Sequence, residues 1–577
     1  MTPQPPRGPG LFSLLKPYRG LTLAMILLTI GGNALNLLVP RLMSGAVDSF
    51  SAQRFETAPF IWQFALVAVA VFILSYLQSI AQTYASEYVA RDLRSRVAAK
   101  ISTRTYAEVE ALTPAKLLTN LTSDIDAVKL FVSQAVATII ASIFLIIGTS
   151  VLLLTMNWRL GLSVLLVVPF IGITFQTVLK KVRPLFKRAQ EAVDALNRVI
   201  SESIIGSALV RLLNTQQSEY AKFFQTNTEA KDIGLETLRL FAGMIPVITF
   251  AANLATVIIL WRGGGYVIDG SMTLGQFTAF NSYLFFLIFP IIMIGFMSTV
   301  IGQATASYAR LGTILSAPDE VKTGGLTREL TGNIALDNVS LSFGEKLALR
   351  DVSMNIQPGT RTAIIGPTAA GKTQLLYLLI GLLPPTSGTI HFDGEPLDTY
   401  DKASLHRQAG LVFQDSVMFN LTLRENIAFS KTSDEADLKK ALITAELQDF
   451  VASLPQGLDT LVSERGTSLS GGQKQRVMLA RALALNPKIL LLDDFTARVD
   501  TATEKAILAN VHQNYPGITL ISVTQKIASV MDYDQIILLM EGEVLATGTH
   551  QQLMDASPEY VQLFHSQRST SHYEVQA

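Results

Sequence analysis

Six stretches without Asp, Glu, Lys or Arg mark the first part of the chain: 20–40, 57–86, 130–158, 160–179, 240–261 and 270–309. A helix crosses about 30 Å of hydrocarbon with about 20 apolar residues, and each stretch reaches that length. Buried core helices of a soluble protein do not recur in this density, so the pattern predicts six transmembrane helices. The longest runs, 57–86 and 270–309, exceed a bilayer and are expected to project beyond it as helix. The polar connections 87–129 and 181–239 are rich in helix formers, which predicts helical hairpins outside the membrane that can touch another domain.

Near residue 316 the pattern changes. SAPDEVKTGGLTRELTGN is polar and glycine-containing and reads as a linker. Beyond it, IALDNVSLSF, LALRDVSMNI and TRTAIIG read as short strands, with helical patterns at 372–382 and 472–485. The expected division is a tail and interfacial helix at 1–19, an all-α six-helix transmembrane domain at 20–315, a linker at 316–332 and an α/β domain at 333–577.

Composition agrees with two unlike halves. Of 577 residues, 49% are hydrophobic and 16% charged, which excludes a disordered chain and a highly charged nucleic-acid binder. The 46 basic and 46 acidic residues cancel, but residues 1–320 hold 25 basic against 18 acidic and the remainder 21 against 28. The absence of cysteine excludes disulfides, thiolate metal sites and cysteine nucleophiles. Basic residues crowd into 91–129 and 180–239, whereas the alternate connections offer only Arg41, Arg54, Arg159 and Arg262. Both termini are therefore expected on the cytoplasmic side of a bacterial inner membrane, with no signal peptide removed.

The α/β half carries the chemistry. TAIIGPTAAGKTQLLYLLIGLL reads as a strand, then Gly366, Pro367, Thr368, Ala369, Ala370, Gly371, Lys372 and Thr373, then a helix. Glycines let backbone N–H groups converge on phosphates at a helix N-terminus, Lys372 reaches the β- and γ-phosphates, and the Thr373 hydroxyl suits Mg²⁺. The half thus reads as an α/β P-loop nucleotide-binding domain that binds a nucleoside triphosphate with Mg²⁺. PKILLLDDF is an apolar strand ending in Asp493 and Asp494, where an acid holding Mg²⁺ is expected. Leu469, Ser470, Gly471, Gly472 and Gln473 open a further helix with backbone donors. That run is either a glycine-softened cap or a second phosphate-facing element working in trans.

Together these segments resemble an ATP-binding cassette transporter of the exporter type, as a half-transporter with one membrane and one nucleotide domain. The likeness runs from about residue 11 to 566 and rests on GPTAAGKT, a glutamine in VFQDS, LSGGQ, LLLDD and ARVD. It implies a dimer in which ATP lies between one chain's phosphate loop and the other's LSGGQ. It further implies that Phe343 stacks on adenine, Gln414 couples Mg²⁺ to the membrane helices, Glu464-Arg465-Gly466 contacts the hairpins, and Asp500 lies at the subunit seam.

Two positions depart from the family. Its strand ends in Asp-Glu, with the glutamate polarising the attacking water, whereas Asp494 stands here. A carboxylate one methylene shorter sits about a bond length back, a displacement that can cost on the order of 10²-fold in rate. A histidine follows the next strand in the family, whereas Gln525 follows ITLISVT here and carries no positive charge. The expectation is a site that binds ATP and hydrolyses it slowly, with LSGGQ completing the site of a second half-transporter subunit. A heterodimer is favoured over a homodimer.

For the cargo, Asn33, Asn36, Gln78, Gln82, Gln176, Asn253, Gln276, Asn281 and Gln303 with the aromatics Phe277, Phe280, Tyr283, Phe285, Phe286 and Phe289 suit an amphiphilic or hydrophobic drug, lipid or peptide, although helix packing accounts for each singly. Siderophore-type uptake and a regulatory ATP-sensing subunit are the alternatives. The net acidic nucleotide half argues against a nucleic-acid partner.

Overall fold

A computed structural model describes residues 10–316, 324–344, 346–429, 434–463 and 466–576. Glu464 and Arg465 lie outside the described residues, as do 317–323 of the expected linker. The chain divides into two compact units, Met1–Thr103 with Leu112–Pro318, and Arg104–Ala111 with Asp319–Ala577.

The first unit is all helix. Among the described residues, six helical runs are long and apolar enough to span a membrane: α1 (Leu11–Ser51), α2 (Thr57–Ser102), α3 (Lys116–Met156), α4 (Trp158–Ile205), α5 (Gln216–Ile268) and α6 (Leu274–Leu315). At 1.5 Å per residue they reach about 60–80 Å, roughly twice the hydrocarbon thickness. Each charge-free stretch lies within or almost wholly within one run, and the helix formers that flank it continue the helix.

Packing in this unit centres on α6. Phe280, Tyr283, Leu284 and Leu287 are buried against Leu37 of α1, Leu153 of α3, Leu160 and Val164 of α4, and Ala255 and Ile259 of α5. The Tyr283 hydroxyl donates to the Leu37 carbonyl at 2.8 Å, satisfying a buried polar tip. At the other end of α6, the Arg310 guanidinium forks onto Asp124, with Nε 3.1 Å from Oδ2. These contacts divide the aromatic cluster expected to face cargo. Phe280 and Tyr283 are core, whereas Phe285 and Phe289 point outward, 77% and 63% exposed. Gln276 is a helix cap, its side chain accepting from the Thr273 N–H at 3.1 Å, and Asn33 donates to the Thr29 carbonyl one turn back at 2.7 Å.

The second unit holds two sheets. The strands are β1 (Ile334–Phe343), β2 (Lys346–Ile356), β3 (Arg361–Ile365), β4 (Ser387–Phe392), β5 (Glu395–Pro396), β6 (Ala409–Val412), β7 (Ile489–Asp493), β8 (Thr519–Thr524), β9 (Gln535–Met540) and β10 (Glu543–Gly548). One sheet runs β2-β1-β4-β5 and is antiparallel; the other runs β10-β9-β3-β8-β7-β6 and is parallel from β9 to β6. Strands β3, β7, β8 and β9 of the parallel sheet are mostly apolar and buried almost throughout because both faces are covered. Ala363, Ile365, Leu490 and Leu492 join one core; Ile364, Ile489, Leu491 and Ile521 join the other. The short helix Tyr106–Leu112 contributes Tyr106 to this unit, its ring edge-on to Tyr377 with centroids 5.5 Å apart.

Candidate nucleotide site

Four adjacent strands, β3, β8, β7 and β6, run parallel, so their C-terminal ends open on one edge of the sheet. That edge is where α/β sheets bind ligands, and each strand there releases one predicted site element. The phosphate loop follows β3, Gln525 follows β8, Asp493 ends β7, and Gln414 lies just past β6. They surround a cavity of ≈ 110 Å³ lined by residues 368–374 with Gln414, Asp493, Asp494, Val523, Thr524 and Gln525.

The loop has its shape because only glycine fits at two positions. A Cβ on Gly366 would meet the Leu539 carbonyl oxygen at 2.0 Å, and one on Gly371, at φ 96°, would meet that of Ala348 at 2.7 Å. Ala369 is also left-handed, at φ 66°, where an L-side chain is strained. Gly371 opens α7 (Lys372–Leu379), whose free N–H groups and dipole favour an anion. Lys372 is buried, and Nζ donates to the carbonyls of Gly366 at 2.9 Å and Pro367 at 2.7 Å. Burial pulls its pKa down, while the carboxylates of Asp494 and Asp493 act in the opposite sense.

Asp493 is 1% exposed. Its Oδ1 accepts from the Thr373 hydroxyl at 3.2 Å, and its Oδ2 is buried without a hydrogen-bond partner. Burial raises its pKa, an effect the Thr373 hydrogen bond opposes and the charge of Asp494 reinforces. An orphaned carboxylate oxygen beside a hydroxyl is a hard-oxygen donor set, so these residues fit Mg²⁺, which takes its remaining ligands from phosphate and water. Among the described residues no group of three or more His, Asp or Glu forms a metal cage. When bound, Mg²⁺ would neutralise charge on the β- and γ-phosphates, held by Thr373 and Asp493.

Asp494 is left-handed at φ 43°, with its N–H donating to the Val523 carbonyl at 2.9 Å. The Gln525 side-chain amide donates to the Thr368 hydroxyl at 3.4 Å, and the Gln525 backbone carbonyl accepts from the Gln567 side chain at 2.6 Å. Gln567, Gln374 and Gln475 are neighbours that the motifs do not single out. Gln475 donates to the Gln414 carbonyl at 3.0 Å, tying that loop to α8 (Gly471–Leu483), and only its place two residues past LSGGQ hints at it.

Three expected elements are not brought to this cavity. Phe343 ends β1 about half exposed. Leu469 to Gln473 lie elsewhere on the unit, where Ser470 and Gln473 form a reciprocal cap on α8: the Ser470 hydroxyl accepts from Gln473 N at 3.3 Å, and Gln473 Oε1 accepts from Ser470 N at 2.8 Å. A Cβ on Gly472 would meet the Arg498 carbonyl at 2.9 Å, which explains that glycine. Asp500 caps α9 (Thr501–Asn514), accepting from Thr503 N at 2.9 Å, and backbone hydrogen bonds hold its pKa down.

Comparison with known proteins agrees with this arrangement. Residues 22–291 match the family model of the ABC transporter transmembrane region, and 349–497 match that of the ABC transporter. An uncharacterized ABC transporter ATP-binding protein, YfiB, of Bacillus subtilis (strain 168) is 32% identical over 561 residues, covering 96% of this chain and 98% of its own length. An ATP-dependent lipid A-core flippase of Syntrophus aciditrophicus (strain SB) is 28% identical over 562 residues, 96% and 93% of the two chains. A solved bacterial Atm1-family ABC exporter with ATP bound has a TM-score of 0.80 at 25% identity, covering 95% of this chain and 98% of that one. The chain belongs to the ABC transporter family, with an exporter-type membrane domain followed by an α/β nucleotide-binding domain.

Proposed function

We propose that this chain is one half of a dimeric, ATP-driven exporter of an amphiphilic or hydrophobic compound, and that its own ATP site binds nucleotide but turns it over slowly. Residues 20–315 form the pathway and 333–577 the ATP-hydrolysing domain, with both termini cytoplasmic and the chain in a bacterial inner membrane. The reading of a slow site rests on one observation: the side chains beside the phosphate loop at the ends of β7 and β8 are Asp494 and Gln525. The shorter carboxylate draws an attacking water back from the phosphate, and the glutamine amide offers a hydrogen bond without charge.

LSGGQ is intact and none of its residues lines its own chain's cavity, so Ser470 to Gln473 are placed to complete the site of a second subunit. A partner supplying glutamate and histidine makes that composite site the active one. ATP then favours the closed nucleotide dimer over the open one, and this difference in binding drives the membrane helices between inward- and outward-facing arrangements. An amphiphilic cargo is supported by relatives named as a lipid A-core flippase and a probable multidrug resistance transporter.

The test is the ATPase rate of the purified chain alone against the chain co-purified with a half-transporter that carries glutamate and histidine. Low turnover alone and high turnover together is the expected result. Brisk hydrolysis by the isolated chain would sink the heterodimer reading.

A further inference from the structure

Beside the short turn that joins them, α1 and α2 leave a groove of ≈ 510 Å³ between Leu38, Arg41 and Leu42 on one side and Trp62, Gln63, Leu66 and Val67 on the other. Its floor is aliphatic, and Arg41 and Gln63 are its polar side chains. Arg41 is the residue that ends the charge-free run 20–40, which places it where hydrocarbon gives way to headgroups. Trp62 is 75% exposed, and an indole at that depth suits the glycerol region.

Arg41 and Arg54 differ in their surroundings from the other two cations at this end of the helices, and of the pair only Arg41 lines the groove. Arg159 lies over the Trp158 ring at 5.5 Å, and Arg262 donates to the Ser163 hydroxyl at 3.2 Å. Among the described residues Arg41 makes no hydrogen bond or ion pair. A guanidinium without a partner at a membrane boundary attracts phosphate, which it can bind bidentately, and the aliphatic floor below takes an acyl chain.

We propose that this groove binds an anionic glycerophospholipid from the leaflet at the α1–α2 end. The phosphate lies on Arg41 and Gln63, the indole of Trp62 packs at the glycerol, and one acyl chain runs along Leu38, Leu42 and Leu66. This site is separate from the nucleotide cavity and does not depend on how ATP is turned over.

Tryptophan provides the readout. Trp158 and Trp261 are 63% and 78% exposed, so replacing both with Phe leaves Trp62 as the one indole without disturbing the core. The full chain is reconstituted into phosphatidylcholine bilayers containing a minor fraction of phosphatidylglycerol brominated near the glycerol end. Control bilayers contain brominated phosphatidylcholine at the same fraction.

Excess quenching by the anionic lipid is expected, corresponding to about fivefold enrichment at the groove. Arg41→Gln removes the excess and Arg41→Lys retains most of it. Inorganic phosphate in solution does not compete. Equal quenching by the two lipids, an excess that survives Arg41→Gln, or displacement by inorganic phosphate would each overturn the proposal. If Arg41→Gln does not assemble, the comparison of the two lipids on the Arg41 chain decides alone.

Discussion

The Thr373 hydroxyl stands 3.2 Å from Oδ1 of Asp493, while Oδ2 of that carboxylate is buried with no hydrogen-bond partner. The protein without nucleotide therefore carries a half-satisfied buried acid. Because burial raises the folded pKa, the favourable protonated form is fully present below the ordinary carboxylate range, and its contribution to stability is lost as pH rises through the raised value. Asp493→Asn should stabilise the nucleotide-free chain at neutral pH by about 1–3 kcal/mol and flatten its stability across mildly acidic pH. The same change should abolish the stabilisation given by MgATP. Thermal unfolding with and without MgATP measures both, and a variant that still gains stability from MgATP removes Asp493 from the metal role.

Asp494 and Gln525 flank the same cavity, and restoring the family's residues should act in steps. Asp494→Glu alone should raise ATP turnover by about 10- to 100-fold, since it returns the carboxylate toward the attacking water. Adding Gln525→His should raise it further. Turnover and transport measured side by side separate two outcomes. Faster hydrolysis with faster transport makes this site a weakened engine, and faster hydrolysis without faster transport makes it a nucleotide sensor.

Ala369 holds φ 66° in the phosphate loop and is solvent-exposed, so its side chain gains no packing in return for the strain. The left-handed conformation costs an L-residue about 1–2 kcal/mol, partly offset in a glycine variant by the freedom glycine has when unfolded. Ala369→Gly should therefore stabilise the chain by up to about 1 kcal/mol and leave ATP affinity unchanged or tighter. A lower unfolding temperature would contradict this account of the loop.

Arg481 is a partly buried cation with no carboxylate partner among the described residues. It donates to the carbonyls of Asn426 at 2.7 Å and Val417 at 3.0 Å, and its guanidinium lies 5.8 Å and 5.6 Å from the ring centres of Phe419 and Phe429. Burial lowers its pKa to about 10, which still leaves it charged at neutral pH. A lysine has neither the planar fork nor the stacking face, so Arg481→Lys should cost about 2–3 kcal/mol. The loop carrying Gln414 should loosen with it, seen as faster amide exchange over 414–426.

What was legible in the sequence follows from how local each signal is. The phosphate loop sits on eight consecutive residues, Ile489–Asp493 is an apolar run closed by an acid, and Ile334–Phe343 mixes apolar and β-favouring residues over strand length, so all three were readable. The convergence of Asp493, Gln414 and Gln525 was partly readable, because ligands gather at strand ends, but strand order fixes who neighbours whom. The aromatic run Phe277 to Phe289 left cargo contact and helix packing open, since periodicity gives a helix without saying which face meets the other helices, and the fold packs Phe280 and Tyr283 inward while Phe285 and Phe289 stay exposed. Tyr106 against Tyr377 had no local signal, because it joins residues far apart in the chain. No residue of LSGGQ lines the cavity, and nothing local in its sequence says so.

Gly275 sets a close backbone approach between α1 and α6 in the membrane unit. Asp48 near the end of α1 accepts from Gly275 N at 2.7 Å and from the Thr273 hydroxyl at 2.8 Å, capping the start of α6 with a carboxylate at the positive end of its dipole. A Cβ on Gly275 would fall 2.0 Å from the Ser44 carbonyl and 2.6 Å from the Asp48 carboxyl carbon. Two losses of different kind are therefore available at one contact. Asp48→Ala removes a cap and should cost about 1–2 kcal/mol, while Asp48→Asn keeps an acceptor and should cost less. Gly275→Ala forces α1 and α6 apart and should be the most damaging of the three, because backbone rather than a flexible side chain must move. Unfolding temperatures of the three variants in detergent give the order directly, and a neutral Gly275→Ala would show that α1 and α6 do not approach this closely.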